Sequence, residues 1–238
     1  MIEDNPLYQQ FTGKQQAEAS FWQYEVNRYI QWYKNEVPSL YYTPCPEEYE
    51  KVRKPSVQDA AILTWTEMHQ KPKYKRELAF PADALNGMKV LDVGSGPIPS
   101  AVCFSGCDLY ALDPLHPLYR ALGFPHHLYP EVHFVDAPAE SIPFVDHYFD
   151  AIISVNAIDH VDDLEVASRE LQRVMCEDGL FRMQVNYHPA TVFEPIEIND
   201  TLFSDLFGWV KGLHVLKRAQ RSFSFQVTGE EEFVLWGN

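Results

Sequence analysis

Along the first third of the chain the apolar positions recur at spacings of three and four. Phe21, Trp22, Val26, Tyr29, Ile30 and Tyr33 fall on one stripe, which predicts an amphipathic helix over 15–36 that Pro38 ends. A loop rich in tyrosine and proline follows, Ser39-Leu40-Tyr41-Tyr42-Thr43-Pro44-Cys45-Pro46. Ser56 then opens a second helix in which Ala61, Ile62, Trp65 and Met68 share a face. Residues 1–87 are too small and too aromatic on one side to fold alone, and are expected to pack over the rest as a helical N-terminal cap.

From Met88 onward the period changes. Lys89-Val90-Leu91-Asp92-Val93 and Asp108-Leu109-Tyr110-Ala111-Leu112 read as strands, with a helix from Pro99 to Ser105 between them that Gly106 stops. Val132 to Val135 and Phe149 to Val155 are two more. Leu164, Ala167, Leu171 and Val174 mark a helix closed by Gly179, one residue before the strand Leu180 to Val185. This alternation predicts a parallel sheet covered on both faces. After a helix around Asp200 to Val210, three strand-like runs (213–219, 222–227, 231–236) suggest an antiparallel pair at one sheet edge. Residues 88–238 are therefore taken as an α/β domain, and no internal repeat or low-complexity run is visible.

Charge narrows the possible partners. The 238 residues carry 34 acidic side chains against 19 Lys and Arg, a formal net charge of −15, which disfavours broad phosphate neutralisation and hence nucleic acid. Four cysteines (Cys45, Cys103, Cys107, Cys176) are too scattered for a disulfide framework, so a reducing, cytoplasmic setting is expected. The N-terminus lacks a basic region with an apolar run, and no stretch approaches the ~18 apolar residues of a membrane span.

The most informative segment is Val90-Leu91-Asp92-Val93-Gly94-Ser95-Gly96-Pro97-Ile98-Pro99-Ser100, a strand running into a glycine turn with a helix expected behind it. Gly94 and Gly96 allow a tight turn and close approach to a ligand, and a helix N-terminus there would offer free N–H groups. Alone, a Gly-x-Gly is usually a plain turn. Pro99, however, stands where a dinucleotide fingerprint has its third glycine, which counts against NAD or FAD. Asp92 precedes the turn at the end of its strand, where a carboxylate can orient the loop amides or meet an ammonium group. Asp113 ends the next strand, where a carboxylate can accept from both hydroxyls of a ribose. A ligand with a ribose and an ammonium-bearing tail but no phosphate describes S-adenosylmethionine.

This segment resembles motif I of the class I S-adenosylmethionine-dependent methyltransferases, and later segments keep to that pattern. Asp113-Pro114-Leu115 resembles the acidic ribose-binding motif and Ala139-Glu140-Ser141-Ile142-Pro143-Phe144 the adenine-side segment. Phe149 to Val161 resembles the fourth-strand motif, and Glu170 to Met175 with Gly179-Leu180-Phe181 the run into strand five. The resemblance covers residues 88–187. It implies a Rossmann-like fold with a mostly parallel seven-stranded sheet and an antiparallel edge strand, S-adenosylmethionine as cofactor and S-adenosylhomocysteine as product. It also implies Asp92, Gly94, Ser95, Gly96, Pro97, Asp113, Pro114, Leu115, Ala139, Glu140 and Asn156 as the cofactor-binding set. One departure is Pro138, where many relatives carry an acid for adenine N6; Asp136 is the candidate substitute.

Methyl transfer from a sulfonium needs an oriented acceptor and removal of its proton. His160 lies just past the carboxyl end of the fourth strand, with an ordinary pKa of about 6.5 that suits proton abstraction. Asp159 precedes it, and this acidic-His pair resembles the His-containing loop of sugar and natural-product O-methyltransferases. His160 as catalytic base and His160 as a helix-capping residue are equally open on sequence. Tyr187 and His188, with Glu194-Pro195 beyond, are candidates to contact an acceptor or to act as a second base, against a plainer reading as packed loop residues. Tyr41 and Tyr42 are candidate substrate contacts because exposed aromatic faces bind sugars and flat aglycones. His116, His126, His127 and His133 have no carboxylate or cysteine partners at ligand spacing, so no metal is expected. The sequence thus points to O-methylation of a sugar, glycan or other polar small molecule. N-methylation of a small amine, or a catalytically silent methyltransferase-like partner protein, are the alternatives.

Overall fold

The computed structural model describes residues 6–35, 56–191, 194–222 and 230–238. Its first long element, α1 (Gly13–Asn35), follows the aromatic stripe and buries Ala19, Val26 and Tyr29. α2 (Val57–Trp65) starts at Ser56, whose hydroxyl accepts the Asp59 amide while the Asp59 carboxylate accepts the Ser56 amide. A single π turn, Thr66–Gln70, leads straight into α3 (Lys71–Leu78).

Seven strands follow: β1 (Lys89–Val93), β2 (Asp108–Leu112), β3 (His133–Val135), β4 (Phe149–Val155), β5 (Met175–Tyr187), β6 (His214–Ser222) and β7 (Glu230–Gly237). They form one sheet in the order β3-β2-β1-β4-β5-β7-β6. The first five pair in parallel, and β7 runs antiparallel to both β5 and β6. The terminal runs 213–219 and 231–236 thus make the antiparallel edge pair, and 223–227 lie outside the described residues. Among the described residues no helix is long and apolar enough to cross a membrane.

Side-chain alternation divides the core into two halves. Val90, Leu109, Ala111, Ala151, Ile153, Phe233 and Leu235 face α1, α2 and α3, sharing one cluster with Tyr29, Trp65 and Leu78. Their strand neighbours Leu91, Val93, Tyr110, Leu112, Ile152, Val234 and Trp236 face the opposite layer. That layer is built by α5 (Leu164–Val174) and α6 (Asp200–Phe207), while a short α4 (His116–Ala121) follows β2. The N-terminal helices therefore cover a sheet face that would otherwise be bare.

Two predicted elements are corrected. The helix expected over Pro99–Ser105 is only a 3-10 turn, Ser100–Cys103, because prolines disfavour helical backbone in the residues before them, Pro99 is itself non-helical, and Phe104 is already extended ahead of Gly106 at φ +70°, too few residues for an α-helix. The cover it would have given comes from α3, which packs on that turn and on β4 and β5. The strand expected from Leu180 begins at Met175, directly after α5. Phe149 pairs with Met175 and Ala151 with Leu180, so a bulge absorbs the residues that the glycine had suggested were a break.

Candidate active site

The strand order reverses between β1 and β4, the place where open α/β sheets leave a crevice at their carboxyl ends. Gly94 turns the chain there at φ +66°, and a Cβ on it would lie 2.3 Å from the Ala157 Cβ, so both conformation and space demand glycine. Gly96, at φ +69°, opens onto free space instead. The amides of Gly94 and Ser95 donate to the Leu112 carbonyl, tying the loop to β2.

Two buried histidines brace this loop from below. Ser95 Oγ lies 3.1 Å from His116 Nε2, and His126 Nε2 donates to the Pro97 carbonyl at 2.9 Å. Burial lowers His116 to about 3 and His126 to about 4, so both are neutral at pH 7. His127 is exposed and His133 pairs with Asp108 on the surface, so the four histidines do not converge.

Asp113 closes the loop from the β2 side. Its Oδ2 accepts the Gly96 amide at 3.0 Å and its Oδ1 the Leu115 amide at 2.8 Å. Burial, with Glu18 adding to it, raises its carboxyl to about 7, even though the two amides and His160 pull the other way. Asp92 is fully buried beneath the loop, with Oδ1 3.4 Å from the Tyr74 hydroxyl and Oδ2 without a hydrogen-bond partner. Burial pushes its carboxyl well above the usual range, Tyr74 opposing this and Asp113 reinforcing it.

These groups surround a cavity of about 390 Å³. Gly94, Ser95, Gly96, Pro97, Asp113, Pro114, Leu115, Ala139, Glu140, Asn156 and His160 all line it, whereas Asp92 lies behind the wall. Glu140 is already engaged as a cap, accepting the amides of Asp162 and Asp163. Asp136 is bound to Arg120 at 2.5 Å and is not in the wall, so it does not take the place of the missing acid at Pro138. The opposite wall comes from the N-terminal helices through Lys14, Glu18, Trp22, Trp65, Gln70 and Tyr74. Lys14 Nζ donates to the His160 carbonyl at 2.5 Å and pairs with Asp162 at 2.7 Å, fastening α1 to the loop after β4. Sequence reasoning missed Lys14 and Glu18, which carry no local signal. Trp22 and Trp65 were visible only as members of an aromatic stripe.

The loops after β4 and β5 bring four titratable side chains together. His160 Nε2 is 3.6 Å from Glu194 Oε1 and 3.9 Å from Asp159 Oδ1, so the predicted Asp159–His160 pair is not a hydrogen bond. His188 Nε2 is 3.6 Å from Asp159 Oδ2 and 3.4 Å from Glu194 Oε2. Burial alone would lower the His160 imidazole, but Glu194, Glu18 and Asp159 outweigh it and lift it to about 9. Asp159 likewise raises His188 to about 9 against the effect of burial. His160 and Glu194 line the cavity, with His188 and Asp159 behind them. Tyr187 is not brought here. Strand alternation turns it to the other face of β5, where its hydroxyl donates to Asp200 and accepts from the Trp236 indole. Tyr41 and Tyr42 lie outside the described residues.

The fold and the glycine-loop cavity define a chain of the class I methyltransferase fold, and comparisons with known proteins agree. Residues 91–183 match the family profile described as "Methyltransferase domain". The uncharacterized methyltransferase YcgJ of Bacillus subtilis is 34% identical over 105 residues, covering 42% of this chain and 42% of that protein. The sterol 24-C-methyltransferase ERG6B of Gibberella zeae is 30% identical over 115 residues, covering 46% of this chain and 30% of that one. The chain thus matches less than half the length of these curated relatives. The crystal structure of Bacillus subtilis YcgJ superposes with a TM-score of 0.56 at 16% identity, covering 71% of this chain and 97% of that one, a likeness of fold.

Proposed function

We propose that the chain is an S-adenosylmethionine-dependent methyltransferase acting on a hydroxyl of a saccharide, glycan or other polar small molecule. The observation that carries this reading is the pairing of the Gly94–Gly96 turn with Asp113, whose buried carboxylate is fixed by two backbone amides at the cavity edge. The residues fit the cofactor: Asp113 would hold the ribose hydroxyls, and the open space over Gly96 would admit the tail beside the turn. Pro114, Leu115 and Ala139 offer apolar surface for the base, and the orphaned Asp92 Oδ2 favours positive charge nearby. Bound there, S-adenosylmethionine supplies a methyl group already activated as a sulfonium. The chain's own task is to orient the acceptor and take its proton. His160, on the cavity wall, is assigned that proton in its neutral form, the minor one at pH 7 because its neighbours lift it to about 9, and residues 1–87 serve as the acceptor-side cap.

The cavity volume of about 390 Å³ and the net charge of −15 support a small acceptor over nucleic acid. The free thiols of Cys103, Cys107 and Cys176 support a cytoplasmic setting. The carboxylates of Glu18 and Glu194 in the wall favour a second reading, in which the acceptor is a cationic amine.

Calorimetric titration with S-adenosylhomocysteine, with NAD as control, tests the cofactor. Binding is expected to weaken about ten- to hundredfold in Asp113→Ala, the loss of hydrogen bonds to a charged acceptor. Absence of binding in the parent chain would leave the silent-partner reading. With binding established, a panel of glycans and amines sorts the acceptors, and unchanged turnover in His160→Ala would remove the base assignment.

A further inference from the structure

Asp159, His188 and Glu194 come from two separate loops, yet one ligand atom from each lies within 4.8 Å of the others, and all three are buried. Asp159 is 1% exposed, and neither of its carboxylate oxygens has a hydrogen-bond partner. A buried carboxylate in that state is costly unless a cation faces it. The imidazoles of His188 and His160 face it as ion-pair partners at 3.6 and 3.9 Å but make no hydrogen bond to it, which leaves its lone pairs open to an ion. His188 Nε2 stands 3.6 Å from Asp159 Oδ2 and 3.4 Å from Glu194 Oε2, too long for N–H···O bonds. Two of the three donor spacings match those between ligands of one ion, since metal–donor bonds of about 2.1 Å in a tetrahedron place donors about 3.4 Å apart, and the third lies within 4.8 Å.

The second layer agrees. His188 Nδ1 donates to the Pro189 carbonyl at 2.9 Å, which directs Nε2 towards the two carboxylates in the manner of a metal-bound histidine. Asn156 Nδ2 lies 3.5 Å from Glu194 Oε1, and Oε2, which accepts from the Thr191 hydroxyl at 3.5 Å, faces His188. Glu194 also lines the cavity, as does His160, so a bound ion would keep one side open to an acceptor.

We propose that Asp159, His188 and Glu194 form a site for one borderline divalent cation, of the manganese, iron(II) or zinc class, at the inner wall of the cavity. One imidazole with two carboxylates suits that class better than calcium or magnesium, which prefer all-oxygen shells. The site rests on this geometry and not on the methyltransferase reading. An ion there would draw an acceptor hydroxyl towards its oxyanion, the proton passing to His160 in its neutral form.

The test uses the full chain, stripped with a chelator, dialysed against Mn²⁺ or Zn²⁺ and analysed for bound metal. One equivalent of at least one of these ions is expected, with affinity falling at least tenfold in both Asp159→Asn and His188→Gln and holding in His133→Ala, which removes a surface His–Asp pair. The ion should also raise the melting temperature of the parent chain. Parent protein that retains neither ion, or binding that survives both substitutions, would overturn the site; the first result needs no variant to fold. Should Asp159→Asn fail to fold, Glu194→Gln takes its place. Titration of the same stripped protein with S-adenosylhomocysteine keeps the two readings apart, because metal retained without cofactor binding supports the site while refuting the methyltransferase.

Discussion

Burial and Glu18 lift the Asp113 carboxyl to about 7, whereas in an unfolded chain it titrates near ~3.9. Between those values the folded chain holds a proton that the unfolded chain does not. The group's contribution to stability is therefore greatest at the acid end and is lost as pH rises through about 7. A ligand whose hydroxyls donate to the carboxylate favours its ionised form. Affinity for S-adenosylhomocysteine should accordingly rise about tenfold between pH 6 and 8 by single-proton linkage. The rise should vanish in Asp113→Asn, and a flat profile in the parent chain would refute the ribose role. The position of Asp113 at the end of its strand could be read from the sequence. Its proton affinity could not, because Glu18 reaches it from a helix 95 residues earlier in the chain.

At the scale of elements, the capping box at Ser56 fixes where α2 starts and hence where Trp65 meets the cavity. Ser56→Ala should lower stability by about 1 kcal/mol, read from the urea midpoint at unchanged slope. A change in slope would mean that the cap shapes more than one helix end. Ser56 was legible because a cap is a local hydrogen bond between residues three apart. The 3-10 turn after the glycine loop was not, although its cause, two prolines in three residues, stands in the same segment. Apolar periodicity there suits a helix, but the prolines bias the residues before them away from it and too few residues follow before the chain extends again. The consequence reaches the proposed binding loop: no helix dipole stands behind Gly96, and the contacts supporting the loop come from His116, His126 and Asp113.

At the scale of the molecule, the sheet face that carries Val90, Ala111, Ile153 and Leu235 is covered by helices before residue 79. Residues 79–238 expressed alone should therefore expose that face and fail to give a cooperative thermal transition by circular dichroism. A sharp transition with a native-like spectrum would show that the α/β part is self-sufficient. The sequence by itself determined the strand–helix alternation, the glycine turn and the acids ending β1 and β2. These rest on local periodicity, backbone freedom and short spacings, which a chain carries wherever it folds. Tertiary structure alone decided that α3 replaces a helix after β1, that Lys14 and Glu18 face the cavity, that Tyr187 turns away from it, and that Asp159, His188 and Glu194 meet. Those outcomes depend on which loops the parallel crossovers bring to one end of the sheet, and spacing along the chain does not record that distance in space.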